Sequence, residues 1–253
     1  MKLTGNTILV TGGGSGIGRG LAEAFHKLGN KVIVAGRRKA ALVGVVQSNP
    51  GIDSVELDVT NPASIASVSK ELIAKYPKLN VLLNNAGLML LDDVSKPIDE
   101  EVLISQVETN VYGTIRMTSA LIEHFKAQPY AVVLNNSSIQ AFTPMAFTAM
   151  YSATKAALHA YTLGLRYRLK GTPVEVQELA PPWVGTDLLN SRQDPRAMPL
   201  PQFIEQTISL LGTDQHEIIV EAAKPFRAAS AAEEDAAFNQ MNDWFKTEVF
   251  KVA

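Results

Sequence analysis

Along this chain, short runs of contiguous apolar residues alternate with longer stretches in which apolar positions recur every three or four residues. The runs at 7–11, 31–36, 55–58, 81–84, 131–135 and 174–180 read as strands, and their near-continuous apolar character points to a sheet covered on both faces. The stretches at 18–28, 39–47 and 62–76 have the period of amphipathic helices, with glycine, proline and aspartate at the joins. A longer helical region precedes the fifth run and is interrupted near Asn110, and the helix carrying Tyr151 and Lys155 precedes the sixth. Strand and helix alternating at this spacing predict an α/β fold with a parallel sheet.

Beyond Pro182 the pattern loosens over 183–201, a length that in compact domains usually carries function. A helix at 202–211, a short strand at 217–220 and a last helix at 231–250 follow. No repeat or linker divides the chain, and the simple stretch at 229–232 is too short to mark a boundary. The expectation is one domain over 1–253, with a substrate lid over about 187–215.

Composition narrows the function classes. At 253 residues, with 46% hydrophobic and 19% charged residues, the chain suits a single large globular domain. A net charge of -2 without a basic stripe argues against nucleic acid as a partner. The absence of cysteine excludes disulfides, thiolate nucleophiles and cysteine-based metal sites. The N-terminus runs directly into the first strand, with no signal-peptide core, and no apolar run reaches membrane-spanning length. A cytoplasmic protein without a membrane partner is expected. No pair among His26, His124, His159 and His216 has metal-ligand spacing on one element, so no metal is expected.

Three groups of residues carry chemistry. Thr11-Gly12-Gly13-Gly14-Ser15-Gly16-Ile17-Gly18 lies between the first strand and the first helix, where glycines let the backbone approach a pyrophosphate and the helix dipole favours its charge. No Gly-Lys-Ser/Thr follows, which separates this loop from a nucleoside-triphosphate P-loop. The second strand ends in Arg37 and Arg38, where an enzyme reading an unphosphorylated ribose presents an acid; guanidinium groups favour a 2'-phosphate, hence NADP(H), with NAD(H) the lesser alternative. Tyr151 and Lys155 are four apart and can share a helix face, where an ammonium near a phenol favours proton transfer.

With Asn84-Asn85-Ala86-Gly87 and Ser138 in the same order, the chain resembles the short-chain dehydrogenase/reductase family over residues 5–188. The resemblance implies a Rossmann-like, doubly wound parallel sheet of seven strands holding a nicotinamide dinucleotide. It assigns Asn110, Ser138, Tyr151 and Lys155 as the catalytic set, with Tyr151 the acid or base on the substrate oxygen. Lys155 would lower the Tyr151 pKa and hold the nicotinamide ribose, Ser138 would bond the same substrate oxygen, and Asn110 would hold a water linking Lys155 to solvent. Ser138 is selected by resemblance alone, and its neighbour Ser137 is the alternative. Gly12, Ser15, Gly16, Ile17, Gly18, Arg37, Arg38, Asp58, Val59, Asn85, Ala86, Gly87, Tyr151, Lys155, Pro181, Val184 and Thr186 would contact the cofactor.

In Pro181-Pro182-Trp183-Val184-Gly185-Thr186 the second proline stands where the family has glycine, which removes an N–H from the carboxamide side. The double proline and Phe238-Asn239-Gln240-Met241-Asn242 look like the DltE-type branch. Resemblance also places Leu88, Met89, Ile139, Phe142, Met145, Trp183 and Leu188 near the nicotinamide, which favours a hydrophobic carbonyl or alcohol. It implies a homodimer or homotetramer. A dinucleotide-binding sensor or scaffold without catalysis is the alternative, and the intact Asn-Ser-Tyr-Lys set argues against it.

Overall fold

The computed structural model describes residues 1–227 and 234–250. The simple stretch at 229–232 and the start of the expected last helix at 231–233 lie outside the described residues. Seven parallel strands form one sheet: β1 (Thr7–Thr11), β2 (Lys31–Gly36), β3 (Asp53–Glu56), β4 (Leu79–Asn84), β5 (Ala131–Asn136), β6 (Val174–Leu179) and β7 (Glu217–Ile218). Their order is β3-β2-β1-β4-β5-β6-β7, so the direction of winding reverses between β1 and β4, and the crevice outside the carboxyl ends opens there.

The helices are α1 (Gly16–Lys27), α2 (Lys39–Ser48), α3 (Pro62–Lys75), α4 (Glu100–Val107), α5 (Gly113–Lys126), α6 (Ala149–Arg168), α7 (Leu200–Leu211), the short α8 (Lys224–Arg227) and α9 (Glu234–Trp244). Alternate strand residues feed opposite cores, which is why the strand runs are apolar throughout. Ile8, Val10 and Leu134 pack with Phe25 of α1 and Phe203 of α7, while Leu9, Leu82 and Val133 pack with Leu72 of α3 and Phe125 of α5.

Three differences from the sequence pattern have physical causes. β3 starts two residues earlier than expected, because it is an edge strand whose Asp53 already pairs with Ile33 and whose exposed positions hide the apolar signal. The interruption near Asn110 is a π-helical turn over Glu108–Tyr112, so the helical path continues from α4 into α5 with a bulge between them. The far part of the expected lid is α7, whose Phe203 and Leu211 are fully buried. It packs so closely on α1 that a Cβ at Gly20 would meet Ile204 at 2.9 Å. No helix among the described residues is long and apolar enough to cross a membrane.

Candidate active site

A cleft of about 440 Å³ opens at the carboxyl ends of the strands, between the β1–α1 loop, the ends of β2, β4 and β5, the start of α6, residues 181–189 and α9. The glycine loop lies on its floor. Gly12 and Gly16 have positive φ (66° and 54°), which an L side chain rarely adopts. Ser15 is the N-cap of α1 but makes no capping bond, and no acid occupies the first turn, so the helix presents uncompensated N–H groups.

Arg37 and Arg38 also line the cleft, and neither has a carboxylate ion-pair partner among the described residues. Arg38 instead donates to Ser15 Oγ at 2.7 Å, joining the β2 arginines to the glycine loop. An uncapped helix N-terminus beside two guanidinium groups that lack a carboxylate partner among the described residues fits a multiply phosphorylated dinucleotide.

The loops are cross-tied. Thr11 Oγ1 accepts from the backbone N–H groups of Asn85 and Ala86, at 3.0 and 3.1 Å. Asn85 Nδ2 donates to Thr11 O at 3.0 Å, and Asn85 Oδ1 accepts from Asn136 Nδ2 at 2.9 Å. Gly18 does not reach the cleft; it makes room for this tie, since a Cβ there would sit 2.3 Å from Asn85 Nδ2. Asp58 is likewise off the cleft wall, with Oδ1 accepting from Thr60 N–H and Thr60 Oγ1, while Val59 and Thr60 line the wall. Asn110 is buried behind the site: its amide brackets the Leu88 backbone at 2.8 Å on both sides and donates to Thr154 Oγ1 at 2.9 Å. Its side chain is therefore committed to holding the β4 loop against α6.

Ser138, Tyr151 and Lys155 share one wall of the cleft. The Ser138 hydroxyl acts on the Tyr151 phenol and accepts from Gln140 N–H at 3.1 Å, whereas Ser137 Oγ donates to Leu179 O at 3.3 Å. This geometry separates the two serines that the sequence left as alternatives. Burial pushes the Tyr151 phenol up to about 12, with the Ser138 bond acting against it. Burial pulls Lys155 down to about 8, against which the Glu178 carboxylate acts. The Lys155 ammonium lies over the Tyr151 ring rather than at its oxygen, and donates to Asn136 O at 2.7 Å. The cause acting against burial at the phenol is Ser138, whereas the sequence assigned that part to Lys155.

The remaining wall is largely apolar, with Met89, Ile139, Met145, Trp183 and Leu188 as expected. Leu88 and Phe142 do not line it; Phe142 packs edge-on against His159, ring centroids 4.9 Å apart. Sequence reasoning missed Gln140, Met241 and Phe245. Met241 and Phe245 are four apart, a spacing that can put both on one helix face but does not show that the face closes a cleft. Trp183, Trp244 and Phe245 form one aromatic cluster, and Arg196 stacks on both tryptophans. Arg192 and Arg196 are paired with Asp187 and Asp194. Pro181, Pro182, Val184 and Thr186 lie on the wall, where Ser191 Oγ donates to Val184 O at 2.9 Å and pins the following turn.

Comparison with known proteins agrees with this architecture. A family profile described as short chain dehydrogenase matches residues 6–197. The chain is 36% identical to the uncharacterised oxidoreductase DltE of Bacillus subtilis strain 168, over 96% of this chain and 98% of the relative. Among solved structures, a short chain dehydrogenase from Burkholderia cenocepacia in complex with NADP superposes with a TM-score of 0.83 at 26% identity, covering 95% and 99% of the two chains. A 3-ketoacyl-(acyl-carrier-protein) reductase from Brucella melitensis complexed with NADH gives 0.77 at 29% identity, covering 85% and 93%. Fold, motif order and full-length similarity together make this chain a member of the short-chain dehydrogenase/reductase family of oxidoreductases.

Proposed function

We propose that this protein transfers hydride between NADP(H) and an uncharged, apolar carbonyl or secondary alcohol, with Tyr151 moving the proton. The single observation that carries this reading is the convergence of Ser138, Tyr151 and Lys155 on one wall of a cleft whose remaining wall is largely apolar. NADP complexes among similar structures support the cofactor class, and Arg37 and Arg38, which lack a carboxylate partner among the described residues, support NADP over NAD.

Gly12, Ser15, Gly16 and Ile17 would hold the pyrophosphate, Arg37 and Arg38 the 2'-phosphate, Val59 the adenine, and Asn85, Ala86 and Gly87 the neighbouring ribose. Pro181, Val184 and Thr186 would hold the carboxamide. The bound cofactor supplies or accepts the hydride. In reduction, the Tyr151 hydroxyl donates its proton to the carbonyl oxygen, and Ser138 donates a second hydrogen bond that stabilises the charge developing there. In oxidation the proton returns to the Tyr151 oxygen. Lys155 supplies positive charge beside the phenol, and Asn110 holds Leu88 and Thr154 so that the site keeps its shape. Because the Asn110 amide is committed, a water on the path to solvent would take the backbone of the π-helical turn.

Arg192 and Arg196, in the segment after the cleft-lining residues 181–189, are paired with Asp187 and Asp194, which favours a neutral substrate. The cover of the site is read as residues 187–193 together with α9, narrower than the lid expected from sequence. Exposed Ile104, Tyr112, Leu163 and Tyr167 on the α4–α6 side support the expected homodimer or homotetramer, and the cytoplasm remains the expected location.

A panel of carbonyls with NADPH, followed by absorbance of the reduced nicotinamide, tests the reading. Wild type should turn over apolar ketones or aldehydes, and Tyr151→Phe should lose at least about 100-fold in kcat. Equal turnover by Tyr151→Phe would remove Tyr151 from the reaction. Cofactor binding without turnover across the panel would favour the sensor or scaffold.

A further inference from the structure

One buried charge cluster lies outside the proposed chemistry. Register pairing places polar side chains in a row across the sheet: Asn84 beside Asn135, Asn135 beside Glu178, and Glu178 beside Glu217. Asn84 Nδ2 donates to Asn135 Oδ1 at 2.9 Å, and Asn135 Nδ2 donates to Thr162 Oγ1 of α6 at 2.9 Å. The row ends in two neighbouring carboxylates, an arrangement that needs positive charge nearby.

The two acids are compensated differently. Glu217 takes Arg227 in a two-pronged pair at 2.9 and 3.3 Å, with Arg166 also within electrostatic reach. Glu178 is completely buried; its Oε2 meets His159 Nδ1 at 2.8 Å, and its Oε1 has no hydrogen-bond partner among the described residues. His159 is one helical turn beyond Lys155, so the two share a face of α6. The Lys155 ammonium bonds the carbonyl of Asn136, which pairs with Leu179, the residue after Glu178. The ligand atoms of His159, Glu178 and Glu217 fall within 4.8 Å of one another, and the Glu217 carboxylate is already paired with Arg227 at 2.9 Å.

We infer that Glu178, held by His159, is the buried counter-charge that keeps Lys155 an ammonium at working pH. The inference rests on the reading of Lys155 as the lysine of the reaction site. Glu178 touches neither the cleft nor the Tyr151 oxygen, so it is a positioning residue. The charged and titratable groups around this pair are Tyr151, Lys155, His159 and Arg166 from α6, Glu217 from β7 and Arg227 from α8, which also feels the Glu178 charge. Arg227 is anchored on Glu217 and stacks over Phe142, 4.4 Å from its ring centroid. Burial alone pulls Lys155 toward its neutral form, and Glu178 is the acid that opposes this.

The test is a titration of 13C-lysine-labelled cofactor-free protein between about pH 6 and 10. The Lys155 resonance is assigned by its loss in Lys155→Met. Glu178→Gln keeps the shape and removes the charge, and should lower the Lys155 midpoint by about 1 pH unit or more. Glu178→Asp keeps the charge and should stay closer to wild type. An unchanged midpoint in Glu178→Gln, or an equal fall in both variants, would overturn the inference. Glu178→Ala, which also removes the charge, takes the place of Glu178→Gln if the latter does not fold. Because the titration needs no substrate, a lowered midpoint with no turnover on the carbonyl panel would sink the proposed reaction and leave the charge pairing standing.

Discussion

The Lys155 ammonium stands 5.3 Å from the centroid of the Tyr151 ring while its proton goes to the backbone of β5. The i,i+4 spacing puts the two side chains on one helix face, but it does not decide what the lysine bonds. Burial decides that: an ammonium taken out of water needs an acceptor, and the Asn136 carbonyl provides one at 2.7 Å.

The first prediction concerns stability against pH. Lys155 has a folded value near 8, below its unfolded value near 10.5, so between these the unfolded chain binds a proton that the folded chain does not. Its contribution to stability therefore rises with pH across that window, by on the order of 3 kcal/mol. Urea unfolding from about pH 8 to 10 should show this rise in wild type relative to Lys155→Met. Parallel curves for the two proteins would show that Lys155 is charged throughout. Tyr151, pushed up to about 12, acts in the opposite sense above its unfolded value of 10, where stability should fall.

Cofactor choice is predicted to rest on charge at the end of β2. Arg37→Ala should weaken NADPH binding by roughly 10- to 100-fold and leave NADH nearly unchanged, since only the former carries the 2'-phosphate. Fluorescence titration of the reduced cofactors measures both. A similar loss for each would move Arg37 from phosphate recognition to general loop structure.

Gly18→Ala should damage the site without touching it. The new Cβ would fall 2.3 Å from Asn85 Nδ2 and 2.6 Å from Gly12 O, breaking the tie between the β1 and β4 loops. A destabilisation of about 1–3 kcal/mol is expected from such overpacking, together with weaker dinucleotide binding. Thermal unfolding with and without cofactor checks both effects, and a wild-type response would mean that the tie is dispensable.

Phe245→Ala opens the aromatic cluster formed with Trp183 and Trp244. For bulky apolar carbonyls KM should rise several-fold, while turnover of small ketones stays near wild type. Uniform change across substrate sizes would place the α9 end outside the substrate path.

Most of the frame was legible because its signals are local. Contiguous apolar runs, helical periods and a glycine loop between strand and helix depend on neighbours in sequence, and they place all seven strands to within two residues at either end, and the phosphate loop. β3 slipped because an edge strand with half-buried Asp53 and exposed Ser54 and Glu56 has little apolar contrast. Ser138 and Ser137 are indistinguishable as letters, and only the direction each hydroxyl takes at the end of β5 separates them.

By itself the sequence determined a parallel α/β fold, a dinucleotide loop followed by arginines, and a tyrosine and a lysine on one helix face. The tertiary structure decided that Gly18 serves the Asn85 tie, that the Asn110 amide clamps Leu88, and that Met241 and Phe245 close the cleft. It also brought Glu178 and His159 behind Lys155. The reason is physical: local propensity acts over a few residues, whereas close packing and the pairing of buried charge depend on groups that meet only when distant strands and helices are in register.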